Sequence, residues 1–526
     1  MAYTVFIPTA GTGSRLGGLT KYLNKSLVSI ENKPTLSRII EMFPEDTRFV
    51  VAVGYKGDIV KEFIQLAYPE GKIVTRDVYP YEGEGSGLGY TISCCRDLLQ
   101  CPFIFCSCDT LVAEHIPSPD HNWMGWDDRD IKNQYRTISL SEDGEYVKSI
   151  NEKGRDCSDS AKPYIGLCGI HDYEMFWAAM DKKGEEVFSK GESFGLQKLV
   201  NDSTVKAHKF TWFDTGVTVE LEATRQRFKL KDGPNILEKA NESIWFLKEK
   251  VIKFSSDTSF IHDRVERSKI LVGFVPPVLS STPHMYSYAY VHGNVLSKCV
   301  SLPIFKQLLN ASKLFWKEKV FSSPDEETQF YKSCMSFYKD KTYKRVELFF
   351  DVSDKKDEAT VINDVWYPPL KDMLRQVDWD FVARGTPGQF HGDFHFENIL
   401  YDETKESFEL FDWRQNFGGS LTTGDIYYDM AKLLHGLIMC HDLVAKDEYF
   451  VNWQGNEIRY DFNRKQLLVE CENYYYQWLE KHGYSVQKVK LLTALIYLNI
   501  AGLHAHPYSL VLFALGKELL QESLME

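Results

Sequence analysis

Nearly continuous apolar runs recur through the first part of the chain, each closed by glycine, proline or small polar residues. YTVFIP (3–8), FVVAVGY (49–55) and PFIFCSC (102–108) show no polar alternation. Strands of that kind are buried on both faces, as in a parallel sheet covered by helices. Between them, TLSRIIEMF (35–43) and GDIVKEFIQLA (57–67) repeat apolar residues at three- and four-residue spacing, the period of helices that pack by one face. The alternation predicts an α/β fold with a Rossmann-like sheet. Ligands collect at the carboxyl ends of strands in such sheets. That makes the Gly-rich segment after residue 8 and the aspartate after residue 108 positions to weigh.

The pattern changes after residue 222. The stretch ATRQRFKLKDGPNILEKANES (223–243) is charged and carries the Gly233–Pro234 breaker, so a boundary is expected near 235, dividing 1–234 from 235–526. Beyond it VIKF (251–254) and SYAYVHGNVLS (287–297) read as strands, HDRVERSKIL (262–271) as a helix, and 301–380 as long helical patterns. Strands followed mostly by helices predict an α+β domain of two lobes.

Composition narrows the partners. At 526 residues the chain is too long for one hydrophobic core, which supports two or more domains. A net charge of −13 argues against nucleic acid as a partner, although a nucleotide needs only a few local cations. The apolar run at the N-terminus is too short for a signal peptide, and no stretch reaches the length of a membrane span. Cys94, Cys95, Cys101, Cys106 and Cys108 cluster without CxxC spacing and read as structural thiols in a reducing cytoplasm rather than as a zinc site. A homo-oligomer is left open.

The segment GTGSRLGG (11–18) lacks the third glycine of a dinucleotide fingerprint, having Ser14 and Arg15 after its second. Gly11, Thr12, Gly13 and Ser14 instead form a loop whose backbone N–H groups can approach a polyphosphate, with Arg15 and then Lys25 as cations. Two cations over such a loop suit a triphosphate attacked at its α-phosphorus as pyrophosphate leaves. Alone, the loop reads equally as a tight turn with solvated charges.

Further motifs in order change that balance. GTGSRL with NKSLVSIENKP (24–34), GEGSGLGYTI (83–92), SCDT (107–110), INEKG (150–154) and WFDTG (212–216) together resemble the sugar-1-phosphate nucleotidylyltransferase family across 1–230. Asn24 stands where that family usually has proline, and Cys108 where it commonly has glycine. The resemblance implies that Gly85, Ser86 and Gly87 lie in the base-recognising segment and that Lys153, beside Glu152, meets the sugar phosphate. It also makes Asp109 and Asp214 metal ligands. Two hard carboxylates suit Mg²⁺, which takes oxygen ligands together with substrate phosphates.

In the second half, HGDFHFENIL (391–400) holds Asp393 and Asn398 at the D-x-x-x-x-N spacing of a phosphoryl-transfer loop, and Asp412 follows in FELFDWR (408–414). Lys253 in VIKF and Glu266 on the next helix are candidates for the lysine–glutamate pair that holds ATP phosphates, an exposed unpaired lysine being the alternative. His391 and His395 lack a third ligand for zinc. The arrangement resembles the aminoglycoside phosphotransferase and choline kinase superfamily over 240–526. That implies Asp393 as the residue orienting an acceptor hydroxyl, Asn398 and Asp412 as Mg²⁺ ligands, and Asp425 and Asp429 in GDIYYDMAKLLHGL (424–437) as structural supports. It further implies that His391 braces the loop and that His395 is a pocket or packing residue.

Fused, the halves imply consecutive reactions. ATP would phosphorylate a small hydroxyl metabolite, a sugar giving a sugar 1-phosphate, and CTP, UTP or GTP would then activate the ester as an NDP-linked donor for surface glycans. The alternative is a choline or ethanolamine kinase fused to a cytidylyltransferase.

Overall fold

The computed structural model describes residues 3–129, 134–152, 161–181, 191–229 and 239–525. Two compact units divide the chain, one comprising 1–258 and 279–290, the other 259–278 and 291–526. The boundary expected near 235 falls within 230–238, outside the described residues.

The first unit is built on a nine-stranded sheet. Its core has β1 (Thr4–Pro8), β2 (Arg48–Val53), β3 (Ile73–Asp77) and β4 (Phe103–Cys106) in the spatial order β3-β2-β1-β4, all parallel. The apolar runs form these strands because both faces are covered. Val5, Ile7, Val51, Val53 and Ile104 enter one hydrophobic cluster, while Phe6, Val50, Ala52, Phe103 and Phe105 enter another on the opposite face. Full burial of each valine, isoleucine or phenylalanine side chain here is worth about 1.5–3 kcal/mol. The helix α1 (Gly57–Ala67) brings Ile59, Val60, Phe63 and Ile64 to the first cluster. Beyond β4 the sheet turns antiparallel through Lys162–Ile170. The same unit contains the antiparallel strands Glu242–Phe246, Lys250–Ser255 and Met285–Ala289.

One small element decides where the chemistry can sit. After β4 the chain makes a tight turn into β5 (Thr110–Val112), which pairs antiparallel with β6 (Trp212–Asp214). The register sets Asp214 opposite Thr110, next to Asp109.

The second unit is mainly helical. A π-helical turn, Ser336–Asp340, leads into α2 (Lys341–Ser353). The hairpin of β7 (Ile399–Asp402) and β8 (Ser407–Leu410) follows the 391–398 loop, and α3 (Ile426–Ile438) lies almost wholly buried. The helices α4 (Val486–Ala501) and α5 (Tyr508–Met525) complete the core with long apolar faces. Among the described residues, no helix is long and apolar enough to cross a membrane.

Candidate active sites

In the first unit, the β5–β6 pair closes the 105-residue gap between Asp109 and Asp214. Thr215 donates its backbone N–H to the Asp109 carbonyl (3.0 Å), and Gly216 donates to Asp214 Oδ1 (2.7 Å). A methyl group at Gly216 would stand 2.6 Å from Asp109 Oδ2 and 3.0 Å from Asp214 Oδ1, so both carboxylates flank this one residue. Lys25 Nζ forms an ion pair with Asp109 Oδ2, and Ser107 Oγ donates to Asp109 Oδ1 at 2.5 Å. Tyr135 donates its hydroxyl to Asp214 Oδ2.

These contacts split the two acids. Burial pushes Asp109 up, but the Lys25 charge and the Lys25 and Ser107 hydrogen bonds outweigh it and hold the carboxyl at about 2. Burial and then the Asp109 charge raise Asp214 above the usual carboxylate range. Two carboxylates pressed together against like-charge repulsion, with hard oxygen donors, fit a divalent cation such as Mg²⁺.

Lys25 is placed by its neighbour. Asn24 is fully buried; its Nδ2 donates to the carbonyls of Thr9 (2.9 Å) and Tyr55 (2.7 Å), and its Oδ1 accepts from Ser26 N and Oγ. It caps the short helical turn Lys25–Leu27 and ties it to the end of β1. A proline there could supply none of these four bonds. Gly13 has φ +65°, and a Cβ on it would meet Lys25 Cβ at 2.9 Å, so the Gly11–Ser14 loop lies directly against the lysine. Arg15 is exposed on the following turn, within electrostatic range of Lys25 and Asp109. Gly85 and Gly87 hold positive φ in an exposed turn that Ser86 closes through its N–H and Oγ onto the Gly83 carbonyl. Lys153 lies outside the described residues; its neighbour Glu152 accepts from Arg136 Nε at 2.9 Å and Ser193 Oγ at 3.2 Å.

In the second unit, Asp429 on α3 accepts the backbone N–H groups of His391 and Gly392, each at 2.6 Å, and the Trp316 indole N–H at 3.1 Å. This fixes the start of the 391–398 loop. His391 is fully buried, and its Nδ1 accepts from Asp393 N at 3.2 Å. Asn398 Nδ2 donates to the Asp393 carbonyl and to Oδ2, both at 3.0 Å, and lies 3.1 Å from His395 Nε2. The loop is tied to the second aspartate through Phe411 N to Asn398 O and Arg414 N to His391 O, both 2.8 Å. Asp412, at φ +56°, forms an ion pair with Arg264. Asp425 caps α3 and accepts from Thr386 N and the Tyr338 hydroxyl.

Lys432, a further residue of α3, bonds Asp393 Oδ1 at 2.7 Å. Burial pushes Asp393 up, but the Lys432 ammonium and His395 outweigh it and hold it well below the usual carboxylate range. A carboxylate that stays ionised can orient a hydroxyl by accepting its hydrogen bond. Asn398 and Asp412 add oxygen donors of the hard kind that Mg²⁺ prefers. On the lysine–glutamate candidates, Lys253 is central in its strand, paired in register with Ile244 and Tyr286, and Glu266 bonds Lys269 on its own helix at 2.6 Å.

Ser107, Tyr135, Gly216 and Lys432 were not marked by spacing in the sequence. Lys432 did carry a signal. A lysine within the apolar run of 424–437 is costly to bury, so it announces a buried carboxylate partner.

No protein-family model matches the chain, and no curated protein matches it. Among solved structures, a UDP-glucose pyrophosphorylase complexed with UDP-glucose is similar at 17% identity and a TM-score of 0.37, over 43% of this chain and 98% of its own. A CTP:phosphocholine cytidylyltransferase from Streptococcus pneumoniae is similar at 14% and 0.38, over 44% and 100%. An inositol-1-phosphate CTP transferase from T. maritima is similar at 13% and 0.36, over 44% and 97%. Likeness this remote carries no functional argument, and the functional reading rests on the geometry of the two sites.

Proposed function

We propose that the chain is a bifunctional transferase whose two units catalyse consecutive steps. In the second unit a hydroxyl oxygen of a small metabolite attacks the γ-phosphorus of ATP, ADP leaves, and the hydroxyl proton is released. Asp393 accepts the hydrogen bond of that hydroxyl, and Lys432 keeps Asp393 ionised and in place. In the first unit an oxygen of the resulting phosphoester attacks the α-phosphorus of an NTP, and pyrophosphate leaves. The Gly11–Ser14 loop and Arg15 meet the triphosphate, Lys25 opposes charge at the α-phosphate, Lys153 meets the incoming ester, and Gly85–Gly87 faces the base.

Mg²⁺, held by Asp109 and Asp214 in one site and by Asn398 and Asp412 in the other, would supply charge neutralisation at the phosphates. No side-chain nucleophile is needed. In this reading the acceptor is a sugar, the first product a sugar 1-phosphate and the final one an NDP-linked donor for surface glycans, made in the cytoplasm. The observation that carries the reading is the convergence of Lys25, Asp109 and Asp214 from three distant segments onto one point beneath a glycine loop. Its test is mass spectrometry of products after incubation with mixed NTPs and a panel of hydroxyl metabolites. A phosphorylated acceptor and its NDP-linked form are expected together; nucleotidyl transfer to no supplied phosphoester would overturn the first-unit assignment.

A further inference from the structure

The chain is acidic overall, yet cations gather around Asp393 in the second unit. A recess of about 420 Å³ is lined by Ser336, Asp340, Lys341, Lys344, Arg345 and Leu348, where the π-helical turn passes into α2. Among the described residues none of Lys341, Lys344 and Arg345 forms an ion pair, and Asp340 is the one acid in the lining. Lys341 lies within electrostatic range of Arg345, Arg414, Lys432 and Asp393. Its Nζ stands 4.1 Å from the centroid of the Phe337 ring and 5.5 Å from that of Tyr428, and the Arg414 guanidinium stands 4.9 Å from the same Phe337 ring. The Arg414 Nε is buried without a hydrogen-bond partner.

Like charges do not collect in a partly buried place without cost. Here burial and the neighbouring cations press the Lys341 ammonium well below its usual range. Lys432 already answers Asp393, which leaves Lys341, Lys344, Arg345 and Arg414 with no carboxylate of their own. An acceptor carrying a positive headgroup would be repelled, and the Phe337 ring that could have held it is already engaged by Lys341 and Arg414. An anion in the recess would answer Lys341, Lys344 and Arg345 directly. π-Helical turns also recur at functional sites, because the extra residue re-aims the side chains that follow.

Building on the kinase reading above, we propose that the hydroxyl phosphorylated beside Asp393 belongs to an anion. In place of the plain sugar assigned above, the acceptor is a sugar acid, hydroxy acid or phosphate ester whose carboxylate or phosphate seats against Lys341, Lys344 and Arg345. The first product would then carry a second anionic group into nucleotidyl transfer.

The test compares the full chain with Lys341→Met/Arg345→Met, whose uncharged side chains keep the apolar stems. ADP release is followed with D-glucuronate, D-glycerate and glycerol 3-phosphate, set against glucose, glycerol and choline. Turnover is expected with carboxylate or phosphate acceptors, the responding group telling which anion is used. In the variant the KM for that acceptor should rise about tenfold or more while the KM for ATP stays put. Turnover with choline or a neutral polyol alone, or a rise in the KM for ATP instead, overturns the proposal and leaves the kinase reading intact. Titration calorimetry with glucuronate and inorganic phosphate gives a second readout. If no compound supports ADP release, the kinase reading fails; anion binding that the variant loses would still uphold the recess as an anion site. Equal binding by both proteins would remove it.

Discussion

At Gly216 a hydrogen occupies the space where a methyl group would press on both Asp109 and Asp214. Under the proposed function this pair acts together on the reacting phosphates, and small displacements of such groups are expensive, on the order of a hundredfold in rate for about 1 Å. Gly216→Ala is therefore expected to lower nucleotidyl transfer roughly a hundredfold with little change in thermal stability. An assay of pyrophosphate release beside a melting curve checks it, and an active alanine variant would mean that the carboxylates do not work as a pair. Residue-scale legibility was uneven. Asp109, Asp214, Asp393 and Asn398 were readable because each sits in a motif with fixed spacing. Tyr135 was not, because it meets Asp214 only through the fold; Ser107 sits two residues before Asp109, but its hydroxyl bond depends on the tight turn after β4. Asn24, the departure from proline, has its explanation in four hydrogen bonds that no pattern of letters conveys.

Among the elements, the apolar runs at 3–8, 49–55 and 102–108 became three of the four central parallel strands, because continuous burial leaves a mark in the sequence. The β5–β6 pair left none: three residues are too few for a period, though this pair carries the first site. The inward polar residues of α3 build the second candidate site. One of them titrates. Burial raises Asp429 to about 6, despite the backbone N–H bonds from His391 and Gly392 that oppose the rise. A folded-state pKa above the unfolded one favours the folded protein at low pH, and the advantage is lost as pH climbs from about 4 through 6, by about 3 kcal/mol in all. Wild type should thus exceed Asp429→Asn in stability by a margin that shrinks between pH 4 and 7. Urea unfolding at the two ends of that range measures it; a constant margin would show that Asp429 titrates alike folded and unfolded.

For the whole molecule, a division into two units was legible because each half carries its own ordered set of motifs. The cationic recess was not, since Lys341, Lys344 and Arg345 read as an ordinary solvated helix face until the neighbouring elements are placed. The proposed reactions should also be separable. Asp393→Asn is expected to abolish ADP formation while nucleotidyl transfer to a supplied phosphoester continues at the wild-type rate. Parallel assays on one preparation check this, and joint loss would refute independent centres.

The path of the backbone has its own consequence. The chain leaves the first unit after 258, returns at 279 and departs again after 290, so neither unit is a single uninterrupted stretch. One protease cut, or one gene break, cannot release both units whole. An end-to-end exchange of sequence at any single point would therefore divide one of the two units.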